Sequence, residues 1–147
     1  MWSASQKYRL ALEKSMLAKE MPQFRFYNMT GDTYVAGWAK TSGGRHNYKL
    51  TLILGFLFPD EMPKLFVISP HTLWKYDGYG TVNKEGISHA FHTLENGPGG
   101  RVQICHFKPD LWDSSKTIVA VMMKGLFWLE AYEAHLRTGR DLADFCT

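Results

Sequence analysis

Long apolar runs are missing from this chain of 147 residues. The longest, Leu50 to Phe58, alternates in character and is too short to cross a bilayer as a helix. Met1 to Glu20 is charged throughout, where a secretory signal needs an apolar stretch. Neither a membrane partner nor export is expected. Cysteine is scarce: Cys105 and Cys146 are too few for a disulfide framework, so the expected setting is cytoplasmic, with reduced thiols. An excess of one charge is also missing. Seventeen Lys+Arg against fourteen Asp+Glu leaves +3, dispersed along the chain, which does not make nucleic acid the main partner. Cofactor fingerprints are absent too. Gly97-Pro98-Gly99-Gly100 lacks the phosphate-loop spacing and no Lys-Ser/Thr helix start follows it, and there is no serine nucleophile elbow. No bound cofactor is expected.

What remains is an ordinary globular composition, 45% hydrophobic and 21% charged, with many aromatics (14%) to fill a core. A chain of this length buries roughly 70% of its unfolded surface and needs no metal or disulfide to fold. Residues 1–147 read as a single domain without a linker or an internal repeat.

The expected class is α+β. Residues 3–20 form a helix, opened by a Ser3/Gln6 capping box and stopped by Pro22. Its apolar residues fall on two nearly opposite lines, Tyr8/Leu12/Met16 and Leu10/Leu17/Met21, so the pattern does not choose a buried face. Strands follow over 23–28 and 33–40, around the turn Thr30-Gly31-Asp32. From Tyr48 to Phe58 every even position is apolar, the period-two mark of a strand with one buried face. Pro59 ends it, and 64–69 supplies a fourth strand of an antiparallel meander. From Pro70 to about Arg101 glycines punctuate roughly thirty residues without periodicity, a length that in a compact domain marks function. Val102 to Phe107 is a short extended run. A long helix over about 114–137 closes the chain, with Asp113 or Ser114 as N-cap and Gly139 as C-cap. Its stripe of Ile118, Met122, Gly125, Leu129, Tyr132 and Leu136, widened by Val121 and Trp128, lays it across the sheet.

Chemistry concentrates where the irregular segment delivers the chain to Cys105. His89, His92, Cys105 and His106 are possible zinc ligands. In an extended run, however, Cys105 and His106 point to opposite faces, which removes one of them, and no metal is assigned. The other reading is a cysteine nucleophile. It needs exposure and nearby positive charge, for which Arg101 and Lys108 are candidates. A buried structural cysteine and ordinary hydrogen-bonded loop histidines stand as the plain alternatives.

The order of these features resembles the ubiquitin-conjugating (UBC) fold: helix, four-stranded meander, long loop, cysteine, tryptophan, long helix. Phe58-Pro59-Asp60-Glu61-Met62-Pro63 is similar to that family's FP-x-x-YP-x-x-P segment, and Ile104-Cys105 to its active-site pair. Trp112 and Thr117-Ile118 are similar to its W-x-P-x-x-T-I stretch. The chain departs from the family in lacking a His-Pro-Asn tripeptide before the cysteine, so His89, His92 or Asn96 stand in as candidates to support the oxyanion. Phe107 occupies a position often held by Asp. Only 42 residues follow Cys105, so the last two helices of eukaryotic members are expected to be lacking. These variants resemble the bacterial homologues encoded in anti-phage operons, notably CBASS.

The resemblance implies an enzyme that carries an acyl group as a Cys105 thioester and transfers it to an amine. The implied donor is the C-terminal glycine of a cGAS-like nucleotidyltransferase or of a ubiquitin-like protein, with or without an activating enzyme. Cys105, His92, His89 and Asn96 are the implied catalytic residues, and Pro98, Gly99 and Gly100 are expected to shape a groove for the donor's tail. Trp112 is expected to pack beside the active-site loop. Lys7, Arg9 and Lys14 resemble the family's docking surface for an activating enzyme, and a solvated helix face explains them equally well. Cys146 is either a regulatory thiol or without consequence. A UBC-fold binding module without turnover and a hydrolase with a Cys105–His92 dyad are the alternatives.

Overall fold

The computed structural model describes residues 1–44 and 46–146. Helix α1 spans Ala4–Glu20 behind the anticipated capping box, in which the Ser3 hydroxyl accepts from Gln6 N and the Gln6 side chain accepts from Ser3 N. The amide nitrogen of Gln6 also donates to the Phe56 and Phe58 carbonyl oxygens, both at 2.8 Å, which ties the helix start to a distant turn. Of the two apolar lines, packing selects Leu10, Leu17 and Met21; Tyr8 (70%), Leu12 and Met16 face solvent.

Strands β1 (Phe24–Tyr27), β2 (Tyr34–Lys40), β3 (Asn47–Ile53) and β4 (Lys64–Ser69) form the antiparallel meander. Two short strands, β5 (Thr93–Leu94) and β6 (Gln103–Ile104), extend it in the order β1-β2-β3-β4-β6-β5; β6 falls within the extended run expected at Val102–Phe107, and β5 was not foreseen. Tyr48, Leu50 and Leu52 are fully buried as the alternation requires. The strand stops sooner than the pattern does: β3 ends at Ile53, and Phe56 is 76% exposed. Phe58 N donates to Gly55 O (2.9 Å) and Asp60 N to Leu57 O (2.9 Å), so local turns take over the backbone before Pro59 is reached. Phe58–Pro59 and Ser69–Pro70 are cis peptides.

Helix α2 spans Ile118–Thr138 and closes on Gly139 in the left-handed conformation, as expected. Its N-cap is Thr117, whose hydroxyl accepts from Ala120 N at 3.1 Å, rather than Asp113 or Ser114. Asp113 instead accepts from Ser115 N (2.8 Å) in the turn before the helix. A second acceptor was not foreseen. Glu13 on α1, 1% exposed, accepts from Ile118 N at 2.7 Å and pairs with Arg9 at 2.8 Å. Arg9 also donates to the carbonyl oxygens of Ser114 (2.7 Å) and Lys116 (2.8 Å). A carboxylate placed at a helix N-terminus answers both an unpaired N–H and the helix dipole. The α1–α2 junction is therefore polar and buried, and Arg9 is committed to it rather than free on the helix surface.

Gly125 lets α2 pack close against the sheet, since a Cβ there would lie 2.7 Å from Leu65 Cδ2. Among the described residues no helix is long and apolar enough to cross a membrane.

Candidate active site around Cys105

Residues 70–101 lack periodicity but not order. Asn83 accepts from Leu73 N (2.9 Å) and donates to His71 O (2.8 Å) and Gly100 O (3.0 Å). Single β-bridges join Trp74 to Thr81 and Ser88 to Thr93. Helix α2 fastens the segment from below. Tyr132 donates to Trp74 O (2.7 Å), His135 Nε2 accepts from Tyr76 N (3.1 Å), and Trp128 Nε1 donates to Phe91 O (2.9 Å) and His92 O (3.1 Å). Buried carbonyls thus find side-chain donors where no ladder serves them.

This stitching delivers His92 and Cys105 to one place. Cys105 follows directly after β6, its N–H donating to His92 O at 3.0 Å. His92 itself holds a φ of 52°, a left-handed conformation uncommon for a residue with a side chain. Both residues line an open cavity of about 430 Å³ with His106, Lys124, Trp128 and Cys146, and Met123 and Phe127 are exposed at its rim. Cys105 is partly exposed and its thiol donates to Phe107 O at 3.5 Å.

The electrostatics are mixed. Burial pushes the Cys105 thiol up from its ordinary value, while Lys108 and Lys124 pull it down. Burial lowers His92, against a hydrogen bond with the Cys105 backbone that favours its protonated form; His89, Lys108 and Lys124 lower it further. The net direction is downward and favours the neutral imidazole, the form that can take a proton. His106 is driven down to about 4, chiefly by burial. Its Nε2 donates to Pro63 O at 2.7 Å, which assigns the proton to Nε2 and leaves buried Nδ1 without a partner among the described residues.

The segment from Phe58 to Pro63 buttresses this corner. Trp112 Nε1 donates to Pro59 O at 3.0 Å, and the Trp112 ring meets the edges of His106 and Phe107 at 6.1 and 5.7 Å. Lys124 Nζ sits 4.2 Å from the Phe107 ring centroid, a cation–π contact that holds the ammonium near the cavity mouth.

Several expected participants stand elsewhere. His89 is exposed, its ring 6.2 Å from that of His92, and it does not line the cavity. Asn96 is spent on the loop, donating to Asn83 O at 2.6 Å and Gly100 O at 3.4 Å. Gly97 lies against the Phe66 ring, and Phe66 points away from the face where Leu65 meets α2. The turn Pro98–Gly100 accordingly does not line the cavity; α2 does. Arg101 donates to Pro98 O (3.2 Å) and does not act on Cys105. Cys105 and His106 line the same cavity, because the extended run ends at Ile104 and bends. Among the described residues no group of three or more His, Cys, Asp or Glu is placed to hold a metal.

Comparison with protein-family models, curated proteins and solved structures finds no match to this chain. The architecture shown is α+β: an N-terminal helix, an antiparallel sheet and a long helix after it.

Proposed function

We propose that the protein is a ubiquitin-conjugating-like acyl carrier in which Cys105 holds a polypeptide's C-terminal acyl group as a thioester and passes it to an amine. The observation that carries this reading is a partly exposed thiol lining an open cavity, raised from its ordinary value by burial and opposed in that shift by Lys108 and Lys124. A thioester is already activated, so the protein's work is placement, which is worth up to ~7–11 kcal/mol in ideal intramolecular cases. In forming the thioester, Cys105 sulfur attacks the donor's activated carbonyl, and the donor's leaving group departs with the thiol's proton. In transfer, the amine attacks that carbonyl, its extra proton passes to His92, and Cys105 leaves as thiolate. His92 suits this step because burial favours its neutral form.

The donor we infer is an extended tail ending in glycine, as on a cGAS-like nucleotidyltransferase or a ubiquitin-like protein in a bacterial anti-phage system, supplied with or without an activating enzyme. A hydrolase built on a Cys105–His92 dyad is the less favoured reading. The Cys105 thiol is bonded to Phe107 O rather than to the His92 ring.

The test is recovery of Cys105→Ser from native cells, followed by mass spectrometry. An oxyester joining residue 105 to a foreign C-terminal glycine is expected. Absence of an adduct, together with wild-type cleavage of a tail-linked amide, would establish the hydrolase instead.

A further inference from the structure

Cys146 has no part in the chemistry above, yet it lines the same cavity as Cys105, and both are free, partly exposed thiols. The backbone holds it there. Leu142 is fully buried and opens a short 3-10 turn, Leu142–Asp144, from which Cys146 N donates back to Leu142 O at 3.1 Å. Ala143 N donates to Ala90 O at 3.0 Å, fastening the turn to the loop that carries His92. Burial raises the Cys146 thiol from its ordinary value, and charge on Cys105 raises it further.

We propose that Cys105 and Cys146 form a reversible dithiol–disulfide pair across this cavity, closed by a small-molecule disulfide such as oxidised glutathione. The Cys105 thiolate attacks one sulfur of the oxidant, forming a mixed disulfide and expelling one glutathione thiolate. Cys146 then surrenders its proton, attacks the Cys105 sulfur and expels the second. The protein loses two electrons and two protons, and the oxidant leaves as two glutathione thiols. A cysteine beside a reactive one resolves the mixed disulfide faster than a second small molecule can, because it is already in place. The pair does not depend on the acyl-carrier reading; under that reading its disulfide is the off state, with the sulfur of Cys105 occupied.

The test uses the full chain, reduced, desalted and titrated with oxidised glutathione. Remaining thiols are then alkylated and the protein is digested without reductant. Both thiols are expected to disappear together, with a mass loss of two hydrogens and a cross-linked peptide pair containing Cys105 and Cys146; dithiothreitol restores both. Cys146→Ser is expected to stop at a stable glutathione adduct on Cys105. Separate adducts on the two wild-type cysteines, a disulfide-linked dimer, or thiols that stay alkylatable would overturn the proposal. A chain that closes this disulfide but never captures a donor refutes the acyl carrier alone; the converse refutes the pair alone.

Discussion

His106 carries a cost that pH exposes. Its ring is buried, and its folded value of about 4 lies below the ordinary 6.5. Between those two pH values the unfolded chain binds a proton that the folded chain refuses, so stability falls as pH drops through this window. The shift corresponds to about 3 kcal/mol, fully lost by about pH 4. Urea unfolding from pH 7 to 4 should show that loss in the wild type, and His106→Asn should be less acid-sensitive by about the same amount. A second prediction concerns Cys105, whose thiol burial raises while two lysines lower it. Alkylation by iodoacetamide should still be rising at pH 9, and Lys124→Ala should slow it severalfold at pH 8. An unchanged rate would remove Lys124 from the site. If His92 takes the proton, His92→Ala should slow aminolysis of a preformed thioester by ~10²–10⁴-fold while leaving thiol alkylation nearly intact. Cys105 was readable in the sequence as a candidate, because it sits in a short extended run after a glycine-rich segment. Lys124 was not, because only the register of α2 against the sheet brings position 124 to the cavity.

Elements were legible where one physical signal dominates. The capping box of α1, the alternation of β3 as far as Leu52 and the glycine closing α2 each follow from local chemistry. The buried face of α1 did not, since its two apolar lines are nearly equivalent until Glu13 is seen to belong inside. No periodicity argument buries a glutamate; the unpaired N–H of Ile118 and the Arg9 guanidinium do. Glu13→Ala should therefore cost about 2–3 kcal/mol in urea unfolding, through a stranded N–H and a lost partner for Arg9. Glu13→Gln should recover part of this by keeping an oxygen for Ile118. At the helix–sheet contact, Gly125→Ala drives a methyl against Leu65, and the overpacking should outweigh the gain in helix propensity for a net loss of about 1–2 kcal/mol. Neutral or stabilising behaviour would mean that Leu65 yields freely.

At the scale of the molecule, a meander capped by two helices leaves one sheet edge for strands contributed by the long segment. Cys105 emerges at that edge. The alternation of 48–54 made the sheet legible, but β5 and β6 are two residues each and carry no periodic signal; they exist because β4 offers an edge and Trp128 holds the loop against it. Gly97, between Asn96 and the Pro98–Gly100 turn, lies against the Phe66 ring, and neither Asn96 nor that turn lines the cavity. The claim on which the function stands is that the sulfur of residue 105 accepts an acyl group from another polypeptide. Cys105→Lys converts that transient ester into an isopeptide, and peptide mapping of this variant from native cells tests the claim most directly. The account predicts a branched peptide with the Nζ of the introduced lysine joined to a foreign C-terminal glycine. An unmodified residue 105, in a variant that is folded and abundant in those cells, would contradict it.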